Sequence, residues 1–230
     1  MRWVRRAVWD VVPREQRDSL SRLRRRQVVV VATILVGAVL LGVSLRLEPG
    51  STGFYLATLA LAGVWLAGAF LSGRLHLGRI ATGRDADRLV RPVVEPVVVG
   101  LALVALFVVG GLVVREIPWL DEQVRSVTDF ADQGALWLIV VVTAVNGIAE
   151  EVFWRGAAYA AVPRNPVVWT TVAYVLATLA TGNVMLAFAA ILLGAVVGLQ
   201  RRASGGVLAP IVTHCTWSIS MVFVLPLLFG

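Results

Sequence analysis

Two adjacent glutamates and an arginine lie in the stretch NGIAEEVFWRG. On a helix, Glu151 and Arg155 are four residues apart and lie one turn above the other, a spacing suited to an ion pair. Glu150 points about 100° away, on a face that it shares with Asn146 and Trp154. The pairing engages one carboxylate and leaves the other available, which is the arrangement that a general base and its support require.

The sequence around these charges is apolar enough for a membrane protein. The chain has 230 residues, is 58% hydrophobic and has a mean hydropathy of +0.82. Several apolar runs have the roughly twenty residues that a helix needs to cross a hydrocarbon core about 30 Å thick. We predict an all-α, multi-pass bundle of about seven spans, with the fifth and sixth short, over residues 27–46, 52–71, 93–114, 135–161, 167–181, 184–199 and 206–228.

The arginine distribution predicts how the bundle is oriented. Arginines concentrate before the first span and in the loop 72–92, whereas the loop 115–134 is acidic. Arg164, Arg201 and Arg202 fall in later connections on the same side as the arginine-rich segments. Under the positive-inside rule, every loop therefore agrees with a cell-membrane protein whose N-terminus is cytoplasmic and whose C-terminus lies outside.

The N-terminal arm, residues 1–26, is basic and carries apolar residues at helical spacing: Trp3, Val4, Ala7, Val8, Val11 and Val12. This pattern is typical of an amphipathic helix resting on anionic headgroups, and it is equally consistent with a basic tail that only sets topology. We divide the chain into this cytosolic arm, the N-terminal spans (27–134) and a core that carries the charged motif (135–230).

Charges inside a span are expensive, at roughly 2.5–3.5 kcal/mol each near its centre. One interpretation is that the charges at 150, 151 and 155 only mark the end of the fourth span and reach the headgroups. His214 favours a site instead. With a rise of about 1.5 Å per residue, Glu150 lies roughly 7 Å and His214 about 12 Å from the same edge of the core. We expect all four side chains to line one water-accessible cavity in the cytosolic half.

The two polar stretches resemble the motifs of one family. EEVFWRG is similar to the first motif of the CAAX protease and bacteriocin-processing enzyme family (CPBP, also called ABI), relatives of the type II CAAX prenyl endopeptidase, and GGVLAPIVTHCTWS is similar to its last. The resemblance covers about residues 135–225. It implies a membrane-embedded endopeptidase in which a Glu activates water. Glu150 would be the base, Glu151 with Arg155 its support, and His214 a polariser of the carbonyl or a metal ligand.

Two positions depart from the family's motifs. The second motif has an aromatic residue four positions before a His, and here these positions hold Tyr174 and Thr178. The last motif usually has Asn or Asp four positions after its His, where this chain has Ser218. Thr178, Ser218 and Asn146 are therefore accessory candidates. For Thr178, a helix-packing hydroxyl bonded to its own backbone is the stronger interpretation, because Thr is common in membrane helices.

The two departures from the family's motifs leave functions other than peptide hydrolysis open. A proteolytically silent relative would use the polar site to bind or chaperone a membrane partner, and a small transporter is disfavoured because no inverted repeat is visible. Zinc is left open but not favoured, because it would rely on His214 and two adjacent glutamates that diverge on a helix. The expected partners are a membrane-associated peptide or protein substrate and the lipid bilayer, and no nucleic-acid surface is apparent.

Overall fold

The computed structural model describes residues 2–9, 19–82, 88–133 and 135–230. In chain order its elements are α1 (Arg2–Val8), α2 (Leu20–Ser44), α3 (Thr52–Ser72), β1 (Ile80–Thr82), β2 (Arg88–Val90), α4 (Val94–Val114), α5 (Pro118–Asp132), α6 (Leu136–Ala161), α7 (Pro166–Leu179), α8 (Val184–Ser204) and α9 (Leu208–Phe229). The predicted all-α, multi-pass architecture is confirmed.

Six helices in the described ranges are long and apolar enough to cross a membrane, namely α2, α3, α4, α6, α8 and α9. The predicted fifth span corresponds to α7, which is apolar but has only 14 residues. At about 1.5 Å per residue it is roughly 21 Å long, shorter than a 30 Å core. The predicted sixth span is longer than expected, because α8 continues through two arginines to Ser204.

The acidic connection 115–134 contains an amphipathic helix, α5, which the hydropathy pattern did not separate from a loop. It begins with Pro118 in its first turn, where a proline costs no helical hydrogen bond. Asn183, just before α8, fixes the helix by donating from Nδ2 to the Gln123 carbonyl at 2.6 Å. The connection thus forms an amphipathic helical layer that lies across the ends of the long helices.

The arginine-rich connection 72–92 is attached to the turn between α8 and α9. Its two short strands pair antiparallel as a hairpin. The Arg79 N–H donates to the Ser204 carbonyl at 2.8 Å, and the Val207 N–H donates to the His76 carbonyl at 2.9 Å. These backbone bonds join the N-terminal spans to the helix that carries His214.

The beginning of the predicted amphipathic arm is helical as α1, and it packs against α8. Ala7 is buried and Val4 is exposed, so the helix has a protein-facing side. The arm's predicted residues Val11 and Val12 lie outside the described residues. Contact of this arm with headgroups stays a prediction.

Helix α6 lies between α3 and α9 and contacts both. On the α3 side, Trp65 stacks on Phe153 with ring centroids 4.7 Å apart and lies 5.6 Å from the Trp154 ring. All three rings are buried. This aromatic packing holds the charged half of α6 against the N-terminal spans.

Candidate active site

The charged motif marks a change of helix type within α6. The helix is α-helical to Glu151 and π-helical over Val152–Ala158, a form that is rare and often associated with functional sites. Arg201 of α8 supports this turn, since its Nε donates to the Arg155 carbonyl at 2.6 Å. Its guanidinium also lies 4.9 Å from the centre of the Tyr159 ring. A neighbouring helix thus stabilises the wide turn directly below the glutamates.

Glu151 links α6 to α9. Its Oε1 accepts a hydrogen bond from Arg155 Nη1 at 3.1 Å, so the predicted ion pair is present. The same oxygen lies 2.8 Å from Nδ1 of His214. The sequence places His214 at the depth of the glutamates, and the structure shows that its imidazole meets Glu151. An ionised carboxylate only accepts, so Nδ1 carries the proton and Nε2 is left for another contact.

Glu151 and Arg155 do not line a water-accessible cavity, and that expectation is wrong for these two residues. Their exposed fractions are 0% and 1%. The ion pair and the imidazole compensate the charges within the protein. Gly194 of α8 makes room for it, because a Cβ there would lie 3.3 Å from Arg155 Nη2.

The network is also incompletely satisfied among the described residues. Oε2 of Glu151 and both Nε and Nη2 of Arg155 are buried without a hydrogen-bond partner. Buried polar atoms usually have a hydrogen-bond partner in native proteins. The charged network therefore has two donors and one acceptor that its contacts within the described residues do not use.

Glu150 differs from its neighbour, because it is partly exposed and held from another helix. The Tyr174 hydroxyl of α7 donates to Glu150 Oε2 at 2.7 Å. The Tyr174 ring lies 5.3 Å from the Trp154 ring and 5.0 Å from the Arg155 guanidinium carbon. Tyr174 thus contacts both faces of the charged motif. Its role was missed from the sequence, although its aromatic position in the second motif was the available signal.

Two accessory candidates bond to their own helices. The Thr178 hydroxyl donates to the Tyr174 carbonyl at 2.9 Å, and Asn146 Nδ2 donates to the Val142 carbonyl at 3.0 Å. For Thr178 this is the helix-packing interpretation that the sequence left open. The amide oxygen of Asn146, in contrast, is buried without a partner among the described residues.

Ser218 lies closer to the charged network. A Cβ built on Gly147 of α6 would lie 3.6 Å from Cδ2 of His214 and 3.8 Å from the Ser218 hydroxyl. The hydroxyl is buried and has no partner within the described part of the chain. Gly147 therefore lets α9 bring His214 and Ser218 close to the backbone of α6.

The side chains of this site, all of them within the described residues, do not form a zinc site. In the described ranges, no group of three His, Cys, Asp or Glu side chains is suited to hold a metal ion. Protein zinc sites use at least three such ligands. The donor set therefore does not fit a zinc ion.

Comparison with known families finds one match, and it spans this site. Residues 132–220 match the family model described as "Type II CAAX prenyl endopeptidase Rce1-like". The matched segment begins at the end of α5, ends within α9 and includes every side chain of the charged network. The resemblance predicted from the two motifs is confirmed. No curated protein and no solved structure matches the chain.

Proposed function

We propose, from the premise that residues 132–220 belong to the Rce1-like family, that the protein is a membrane-embedded endopeptidase. Its substrate is a peptide bond in a membrane-associated peptide or protein. The observation that carries the proposal is the pairing of a partly exposed Glu150 with a buried network of Glu151, Arg155 and His214. Neighbouring carboxylates in different environments are typical of sites where one group reacts and the other positions.

In this proposal Glu150 is the general base. The Tyr174 hydroxyl holds one carboxylate oxygen and leaves the other for a water molecule. As the water oxygen attacks the carbonyl carbon, Glu150 accepts its proton. When the C–N bond breaks, the same proton passes to the departing amine.

Glu151 acts as a positioning residue. It fixes the His214 ring through Nδ1, in the way that a buried carboxylate orients a catalytic imidazole. Polarisation of the substrate carbonyl requires a proton on Nε2 as well as on Nδ1, so in this step His214 acts as the doubly protonated imidazolium beside Glu151 and donates from Nε2 to the carbonyl oxygen. Arg155 balances the charge of Glu151 in the buried cluster.

The proteolytically silent alternative is favoured by one observation. At the position of the family's second-motif histidine, the Thr178 hydroxyl is directed to its own helix backbone and offers no imidazole. Ser218 likewise replaces an amide or carboxylate with a hydroxyl. The peptidase proposed here is therefore a slow one, in which Glu150 and His214 perform the chemistry.

We also propose the division and orientation predicted from the sequence, with an arm (1–26), N-terminal spans (27–134) and a peptidase core (135–230). The N-terminus faces the cytoplasm and the C-terminus lies outside. This orientation requires the short α7 and its flanking turns to cross the bundle to the side of α5, where Asn183 donates to the Gln123 carbonyl. Labelling of single cysteines introduced at the exposed positions Arg79 and Glu122, in a Cys215→Ala background, tests this orientation. A membrane-impermeant reagent added to intact cells should label position 122 and not position 79.

Hydrolysis of candidate membrane peptides by purified protein tests the activity. Glu150→Gln removes the base and should lower the rate about a hundredfold or more. Glu122→Gln is the matched control, because Glu122 is exposed on α5 and lies outside the site. Full function of the Glu150→Gln variant would instead support the silent relative.

A further inference from the structure

A second polar feature lies outside the site, where the N-terminal end of α2 meets the C-terminal end of α3. It is a cavity of about 240 Å³ lined by Arg22, Arg25, Arg26, Ser72, Gly73 and Arg74. Every charged side chain that lines it among the described residues is an arginine. Liquid water occupies about 30 Å³ per molecule, so a phosphate group and several waters fit into this volume.

Two of these arginines are fixed by the end of α3. Arg25 Nη2 donates to the Leu71 carbonyl at 3.2 Å, and the buried Arg26 donates from Nη1 to the Ser72 hydroxyl at 3.3 Å. Helix C-termini carry partial negative charge, which offsets the repulsion between clustered guanidinium groups. The cavity is thus a preformed cationic pocket and not a flexible basic tail.

Gly73 is needed for the shape of this pocket. Its φ of 139° lies in a region that favours glycine, and a Cβ there would lie 2.8 Å from Arg26 Nη2. The glycine ends α3 and lets the chain turn away while Arg26 occupies the space beside it. The backbone therefore leaves the pocket open between the two helices.

The depth of the pocket matches the headgroup layer of a membrane. The apolar part of α2 begins near Val28, so Arg22–Arg26 lie about 3–9 Å before it along the helix axis. The polar layer of each leaflet is roughly 5–8 Å thick. Val28 and Val31 are 71% and 56% exposed, as expected for side chains that face lipid next to the pocket.

We propose that this pocket binds the phosphate group of an anionic lipid headgroup. Guanidinium groups match phosphate oxygens with paired, charge-assisted hydrogen bonds, and basic pockets between membrane helices are suited to anionic lipids. The lipid chains then lie along the exposed apolar face of α2. The proposal is independent of the peptidase activity.

Lipid binding to the purified full-length protein tests the proposal. Affinity for phosphatidylglycerol is measured in phosphatidylcholine nanodiscs for wild type and for two charge-matched double variants. Arg22→Gln with Arg25→Gln removes two pocket arginines. Arg24→Gln with Arg79→Gln removes two exposed arginines that do not line the pocket, one of them on the same helix.

The pocket variant should bind phosphatidylglycerol at least about tenfold more weakly, since a hydrogen bond to a charged group contributes roughly tenfold in affinity and the control arginines make none to the bound phosphate. The control variant should lose less than about threefold. Equal losses in the two variants would show general surface attraction and overturn the proposal, as would no loss in either. Displacement of the lipid by millimolar inorganic phosphate would identify a site for soluble phosphate instead, and would also overturn it.

Discussion

The α2–α3 pair and the α6–α7–α9 cluster are joined in opposite ways. In the first, the helices approach closely at glycines: a Cβ on Gly37 would overlap the Trp65 ring, and one on Gly68 would overlap Thr33. In the second, the helices are linked by Glu151 and Tyr174 through charged and polar bonds. One interface depends on shape and the other on electrostatics.

The contrast reflects what holds helices together in lipid. In lipid, the burial of apolar surface contributes little free energy to helix association. Helices therefore associate by close packing of small residues or by polar bonds. In a closely packed interface, the stabilising free energy is distributed over many weak contacts. In a buried charge network it depends on a few side chains, because the removal of one member leaves its partner as an uncompensated charge. We therefore expect single substitutions to be most damaging in the α6–α7–α9 cluster.

Arg155→Ala should have the largest effect on stability. It leaves Glu151 buried with only an imidazole beside it, and removing one member of a buried pair typically costs about 3–5 kcal/mol. The free energy of unfolding in detergent measures this loss. The matched double variant Arg155→Ala with Glu151→Gln should recover part of it, because the stranded charge is gone. Equal stability of Arg155→Ala and Glu150→Gln would contradict the contrast between the two glutamates.

Gly37→Ala should destabilise the α2–α3 interface by about 1–3 kcal/mol, the usual effect of overpacking a filled core. The added methyl meets the buried Trp65, which is itself stacked on Phe153. Gly63→Ala in α3 is the matched control, because a Cβ there meets nothing within 4 Å. The unfolding midpoints of the two variants test this prediction. Indistinguishable midpoints would show that close packing at Gly37 does not stabilise the α2–α3 interface.

Tyr174→Phe tests the bond between α7 and Glu150 with little change in packing. A hydrogen bond to a charged group contributes about 1.5 kcal/mol, which corresponds to roughly tenfold in kcat/KM. We expect the peptidase rate to fall by that factor while the protein stays folded. An unchanged rate would show that Glu150 does not need this hydroxyl for its position.

Thr178→Val should have the smallest effect, less than about twofold on activity. The hydroxyl bonds only to the carbonyl one turn earlier, a local bond that adds little to helix stability. Peptide hydrolysis by this variant is the relevant measurement. A large loss would mean that Thr178 turns toward the substrate during the reaction.

The sequence predicted the spans and the charged pair well for a physical reason. Long apolar runs admit few structures in lipid, and the spacing of Glu151 and Arg155 fixes their contact within one helix. The partner of His214 could not be derived in this way. It depends on how α9 is rotated against α6, which is set by the fit of the helices around Gly147. The bond of Tyr174 to Glu150 similarly depends on the tilt of α7, a helix of only 14 residues.

The π-helical turn of α6 changes the angular positions of the side chains that follow it in an otherwise regular helix. A single-residue π insertion rotates everything beyond it by about 100° relative to an uninterrupted α-helix. A helical wheel drawn from Leu136 for a regular α-helix would therefore give the wrong directions for the side chains beyond the turn. The positions affected include Gly156, Tyr159 and Ala161, whose directions it would assign to neighbouring residues. Removing one residue from Val152–Ala158 would turn Tyr159 away from Arg201 while leaving the composition and hydropathy of the span almost unchanged. Two chains with the same hydropathy profile would then differ in which side chains meet beneath the glutamates.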